Sequence, residues 1–416
     1  MSANPDANPD AAKSPRLESL AGCTPPGWLS DPDRVAAVAS AEPPAFSAAE
    51  YARRLTNVRS AMLNNGLDGL VVSRPSAVEY ICGYFSAETI PQPVLITQDE
   101  LVLFVPDFEV GRAVASSLAP EVRFFRYATA HTAYAAVAEF VAHKIKAGRV
   151  GADSRTPVEI VDVLRDADSV VVPGSDLVDA VRIVMSEDEI RCVEIAGEST
   201  ERGVQAGLAA AAEPGATDAT VAAAISAGLV EQATSRSAWQ VVVATGNRAG
   251  IPHSTWRGLP LAEGATFIEF AGTHNRYHAP IMRTFCRGKA SPLVQTLSEL
   301  SRTAVEGVLS TAKAGMPCDE VARTVTKQLG PLPEGVVFHE LFGYPVGLAH
   351  PPHWMDSVPF NITIDNPEPL REGMVFHMPG SFRSIGKAGV GLSQTFVIEK
   401  NGTRVLTKGD AEMVYL

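Results

Sequence analysis

Two helical patterns with the same punctuation restrict what this chain can fold into more than any other feature does. GVQAGLAAAAEPGATDATVAAAISAGL (203–229) parallels GVLSTAKAGMPCDEVARTVTKQLG (307–330), with Gly315 matching Gly215 and Val321-Ala322 matching Val221-Ala222. A strand-rich segment follows each, 238–287 and then 336–399. Helix-helix-sheet halves in tandem predict a pseudo-two-fold domain with a sheet covered by helices on one face. The cleft between such halves is the natural place for a site. A capping box, Ser186 to Glu189, opens the first long helix up to Glu213, and a second helix is expected over 218–231.

The chain before this domain reads differently. Residues 1–45 are rich in Pro, Ala, Ser and Asp and predict a loosely held arm, with Trp28 and Leu29 as residues that could instead wrap a partner subunit. From Ser47 and Glu50, which make a capping box, strands and helices alternate through VVPGSDLVDAVR, predicting a small α/β domain over 46–180 and a catalytic domain over 181–416. No glycine-rich phosphate loop interrupts the alternation. A net charge of -12 and no strongly basic run argue against a nucleic-acid groove. The N-terminus lacks the pattern of a targeting peptide and no apolar span reaches membrane length, so a cytoplasmic location is expected. Five scattered cysteines without a CxxC suit a reducing compartment and exclude a cysteine-rich zinc module.

The chemistry concentrates in GATFIEFAGTHNRYHAPIMRTFCR (264–287). Glu269 stands in an apolar strand, a turn is expected from Gly272 to Asn275, and Tyr277, His278 and Arg283 return on the next strand. A buried carboxyl must be paired, hydrogen-bonded or neutral, which leaves acid, base, nucleophile, or a structural carboxylate tied to Arg283 or to a neighbouring strand open to it. His253 in IPHSTW, held behind Pro252, can carry protons, with Trp256 as a stacking neighbour; a histidine satisfied within its loop is the plainer reading. His278 can be either a ligand contact or a packed residue. In LFGYPVGLAHPPHWMDSVPF (341–360), Tyr344, His353, Trp354 and Asp356 could meet a small, partly cationic ligand, or the segment is a Pro-rich loop packed by its tryptophan. HNRYH has its histidines beside a turn, HMPG offers His377 without a carboxylate, and Glu269 alone cannot supply the bridging carboxylates of a two-metal centre. No metal and no cofactor are expected.

FSAAEYARRL (46–55), PHSTW (252–256), FIEFAG (267–272), RYHAPIMRT (276–284), GYPVGLAHPPHW (343–354) and GMVFHMPG (373–380) resemble the pita-bread superfamily of creatinase, prolidase and aminopeptidase P, most of all ectoine hydrolase. The resemblance covers about 46–410 and implies an α/β (α+β) chain: a creatinase-type N-terminal domain, then a pita-bread catalytic domain with duplicated halves. The metal ligands of the superfamily's peptidases fall on Glu269, Pro280, His350 or Pro351, Met378 and Ser393, so most of that set is replaced. The resemblance implies attack by Glu269 on an amide or amidine carbon, proton delivery by His253, and release by water. It also implies a homodimer in which Tyr84, Phe85 and Glu88 help to cover a neighbouring site, their plainer role being packing within the small domain. Ectoine hydrolases differ in carrying Asp at the His353 position, a Gly-Glu pair at Met355-Asp356, and Glu at Gly391 and Gln394. The expected activity is metal-independent cleavage of a C–N bond in a small cyclic amidine, amide or guanidino compound. The alternatives are a catalytically inactive pita-bread scaffold and a metal-dependent Xaa-Pro-type aminopeptidase with an altered site.

Overall fold

The computed structural model describes residues 15–20, 22–356 and 360–416, and the chain divides into two compact units, Met1–Arg182 and Ile183–Leu416. The first unit is built on a seven-stranded mixed sheet. Its strands are β1 (Arg16–Ser19), β2 (Gly69–Val72), β3 (Val94–Ile96), β4 (Leu101–Pro106), β5 (Glu121–Phe125), β6 (Arg149–Ala152) and β7 (Val170–Pro173), in the order β1-β5-β4-β3-β2-β6-β7. The central strands are apolar runs buried along their length, as expected of a sheet covered by helices. The expectation of a loose arm over 1–45 meets a strand here: β1 pairs in parallel with β5 because Arg16–Ser19 completes the hydrogen bonds of that edge. Residues 1–14 of the arm lie outside the described residues.

The second unit carries the duplication. The helix Glu187–Ala212 starts on the expected capping box at Ser186, turns at Gly215 (φ 77°), and is followed by the helix Asp218–Val230. The second pair, Pro292–Thr311 and Cys318–Leu329, turns at Gly315 (φ 85°). Both turns use a left-handed backbone that glycine adopts without strain. Each pair then makes an isolated bridge at the matching place, Thr217 to Pro260 and Pro317 to Pro369, in the segments that lead into the long hairpin strands Gly264–His274 and Val375–Ser384.

In the first half, β8 (Val242–Thr245), β9 (Gly264–His274) and β10 (Tyr277–Arg287) form an antiparallel meander, completed later by β16 (Val414–Tyr415) on β10. The second half has β11 (Val336–Val337), β12 (Tyr344–Pro345), β13 (Val375–Ser384), β14 (Ala388–Glu399) and β15 (Gly402–Val405), with β11 and β12 both pairing with β13. Ile268 and Phe270 pack with Val204, Ile225 and Leu229 of the first helix pair, while Phe376, Leu392 and Phe396 pack with Val305, Val308 and Val321 of the second. The two hairpins meet along β10 and β14 through side chains. Thr284 Oγ1 bonds both the N–H and the carbonyl of Gly391 (3.0 and 3.2 Å), Ser393 Oγ accepts the Met282 N–H (2.5 Å), and Thr395 Oγ1 donates to the Pro280 carbonyl (2.8 Å).

One local expectation is corrected. The hairpin turns at Asn275-Arg276, both at positive φ as a two-residue hairpin loop requires, not at Gly272. Gly272 lies inside β9, where a Cβ would stand 2.4 Å from the Ala196 carbonyl and the Thr200 nitrogen, so glycine lets the strand approach its covering helix. All five cysteines are free and buried. Among the described residues no helix is long and apolar enough to cross a membrane.

Candidate active site

Alternation along β9 sends Ile268 and Phe270 into the helix-covered core and turns Glu269 to the other face, opposite Met282 of β10. There Glu269, 8% exposed, borders a cavity of about 470 Å³, within the range of small-molecule sites. The other polar residues of the wall are His253, His339, Tyr344, His353, Ser381 and Arg383; Met282, Phe338, Leu341 and Met355 supply apolar surface. Burial raises the Glu269 carboxyl to about 7, against the opposing pull of the Arg383 guanidinium. The ion pair with Arg283 does not form, because Arg283 follows Met282 and so points to the opposite face. Its guanidinium donates to the carbonyls of Met282, Ser393, Lys408 and Gly409 instead.

His253 reaches the same cavity on a loop held by a buried carboxylate. Asp218, at the start of its helix, accepts from the Arg248 guanidinium (2.9 Å) and from the N–H groups of Arg257 (3.1 Å) and Leu259 (2.9 Å). These bonds clamp the segment on both sides of His253, whose own backbone is left-handed (φ 59°). The Trp239 ring stands 6.3 Å from His253 and 4.5 Å from His353, centroid to centroid. His353 Nδ1 accepts the Met355 N–H (3.0 Å), which places the proton of the neutral ring on Nε2. Burial first, and the neighbouring His253 second, push His353 down to about 4.

Tyr344 is oriented from behind. Its hydroxyl accepts from Trp354 Nε1 (3.0 Å) and lies 2.6 Å from His377 Nδ1, while His377 Nε2 lies 2.7 Å from Ser393 Oγ. Burial holds His377 neutral, its value pushed down to about 3, so one ring nitrogen carries a proton. Were it Nε2, Ser393 Oγ would accept both this proton and the Met282 N–H, and its own proton would have no acceptor among the described residues. The proton is therefore assigned to Nδ1, Ser393 donates to Nε2, and Tyr344 accepts twice. Its phenolic proton is then free to point into the cavity, where the charge of Glu269 is felt. Ser393→Ala is expected to lower stability by about 1–3 kcal/mol, since it strands the buried Met282 N–H and His377 Nε2; urea unfolding measures it.

Of the residues singled out in the sequence, Glu269, His253, Tyr344 and His353 border one cavity. Trp354 and His377 are buried one step behind, as partners of Tyr344. His278 lies away from the wall, where burial pushes it down to about 4 and keeps it neutral; its Nε2 accepts the Ala238 N–H (2.9 Å) and its Nδ1 donates to the Gly347 carbonyl (3.2 Å). Trp256 is exposed and Asp356 half-buried, and neither borders the cavity. Tyr84, Phe85 and Glu88 line a separate cavity of about 210 Å³ within the first unit. There Tyr127 donates to Glu88 (2.5 Å) and Arg112 lies over the Phe85 ring. Ser381 and Arg383 were not anticipated, although alternation from His377 through Pro379 along β13 places them on the cavity face. Gly391 cannot bear a side chain without displacement, because its Cβ would fall 2.2 Å from the Phe267 ring.

Comparison with known proteins agrees with this architecture. The sequence profile of metallopeptidase family M24 matches residues 191–400, and that of the creatinase/prolidase N-terminal domain matches 54–184. The chain is 27% identical to the ectoine hydrolase of Halomonas elongata over 87% of this chain and 96% of that protein. It is 25% identical to a Xaa-Pro dipeptidase of Pyrococcus horikoshii, over 85% and 96%. The crystal structure of the P. horikoshii prolidase superposes with a TM-score of 0.74 at 23% identity, covering 86% of this chain and 99% of that one.

A metallopeptidase family implies metal ions, and the residues present do not fit two of them. Pro280 and Met378 offer no carboxylate, the Ser393 hydroxyl is engaged by His377 and Met282, and His350 is buried outside the cavity wall. Among the described residues no three His, Cys, Asp or Glu side chains are grouped to hold an ion. The charge of Arg383 also falls on Glu269, where it would oppose a cation. The N-terminal unit, the duplicated catalytic unit and a profile match spanning half of the chain together place this protein in metallopeptidase family M24, a family of hydrolases.

Proposed function

We propose that the chain hydrolyses a C–N bond of a small cyclic amidine, amide or guanidino compound without a metal ion, with Glu269 as nucleophile and His253 as proton carrier. The observation that carries this reading is a buried carboxylate sharing one cavity with an imidazole, a phenol and a guanidinium. In the first step a Glu269 oxygen bonds to the substrate carbon, the Tyr344 O–H donates to the oxygen or nitrogen on which charge develops, and the C–N bond breaks as His253 protonates the leaving nitrogen. In the second step water gives a proton to His253 and adds to the acyl carbon, and the carboxylate of Glu269 leaves. The apolar wall keeps other water away from the intermediate.

A metal-dependent Xaa-Pro peptidase is the second reading, and the family's description and the Pyrococcus relative favour it. Chelator-treated protein assayed on cyclic amidines, lactams and creatine-like compounds, and on Gly-Pro with and without Mn²⁺, separates the two. Turnover of a small compound after chelation, with a mass adduct on the Glu269 peptide, is the expected result. Gly-Pro cleavage that depends on added Mn²⁺ would decide for the peptidase.

A further inference from the structure

One end of the cavity holds polar groups with nothing to bind. Ser381 is 3% exposed, and its Oγ makes no hydrogen bond to any described residue. Two residues along the same face of β13, the Arg383 Nε is likewise buried and unbonded. The guanidinium lies over the Phe267 ring, 5.3 Å from its centroid, which fixes its plane without using its donors. It senses the charge of Glu269, yet no hydrogen bond joins the two. Buried donors left unsatisfied are costly, and both of these residues border the cavity, so together they mark a place where a ligand supplies the acceptors.

We propose that Ser381 and Arg383 form an anion subsite that receives a carboxylate of the substrate. The inference rests on the reading of the cavity as a hydrolytic site and narrows its substrate to compounds carrying both a C–N bond and an acidic group. A guanidinium presents parallel N–H donors that match the two oxygens of a carboxylate, and the Ser381 hydroxyl adds a third donor from the same strand face. The apolar residues Phe338, Leu341 and Met282 would cover the body of such a ligand.

The full chain is titrated calorimetrically with N-benzoylglycine and with its uncharged carboxamide. The carboxylate is expected to bind roughly tenfold or more tightly than the carboxamide, Arg383→Gln to abolish most of that preference, and Ser381→Ala to reduce it roughly threefold to tenfold. Equal affinities, no measurable binding of the carboxylate, or a folded Arg383→Gln protein that keeps the preference overturns the subsite. If Arg383→Gln does not fold by circular dichroism, an unchanged preference in Ser381→Ala overturns it and a reduced one supports it. Binding is read without turnover, so the same preference should persist in Glu269→Gln. Full activity in Glu269→Gln would remove the nucleophile and leave the subsite standing.

Discussion

Glu269→Gln is expected to abolish turnover and, at alkaline pH, to make the protein more stable. Burial raises the carboxyl from 4.5 in the unfolded chain to about 7 in the folded one, so the folded state holds this proton more tightly. Below pH 4.5 the group is protonated in both states and costs nothing. As pH rises from 4.5 through 7 the unfolded state ionises first, stability is lost, and the loss levels off above 7 at on the order of 3 kcal/mol. Glutamine has no proton to lose, so the variant should gain on the parent across that window and keep the gain above it. Urea unfolding of both proteins at pH 4.5 and pH 8 measures it, and a difference independent of pH would show that Glu269 is not a buried ionisable group. The same titration governs catalysis. A nucleophile must be ionised, so the limb of the kcat/KM profile that Glu269 sets should rise with pH through about 7, whereas Glu269 acting as a general acid would give a fall there.

Arg283→Leu is expected to destabilise the catalytic unit by about 3–5 kcal/mol without touching the cavity. Arg283 Nη1 donates to the carbonyls of Ser393 (2.6 Å) and Met282 (3.0 Å), and Nη2 to Lys408 and Gly409 (3.3 Å each) and to Gln394 Oε1 (3.4 Å). One side chain thus joins β10, β14 and the C-terminal segment. Burial brings its guanidinium down to about 10, with the charges of Glu201 and Asp410 pulling the other way. Leucine fills similar space but leaves buried carbonyls without donors. A measured loss below about 1 kcal/mol is what an exposed ion pair would produce, and would refute the role.

The duplicated architecture could be read from sequence because its markers are local: a glycine at positive φ, a capping box and a change of hydrophobic period all lie within a few residues. Where an outcome depended on register or facing, local pattern was not enough. Gly272 looked like a turn residue because glycine serves turns and close approaches alike, and the nearness of Ala196 decides between them. Arg283 is one candidate partner for Glu269 in the sequence, and the pairing of Glu269 with Met282 turns it to the other face. Trp354 and His377 carried the right chemistry for a ligand, yet their polar atoms are spent on Tyr344. Ser381 and Arg383 went unnoticed because the family motif ends at Gly380, although the alternation that buries Phe376 and Met378 continues past it.

The two repeats contribute unlike things to the cavity. Glu269 and His253 come from the first, Tyr344, Ser381 and Arg383 from the second, and the hydroxyl-bearing seam between β10 and β14 helps to hold them in common alignment. Substitutions on β13 and in 337–344 could therefore redirect which compound is accepted while the carboxylate and imidazole stay where they are. Diversification of this chain's relatives would be expected to accumulate on that half first.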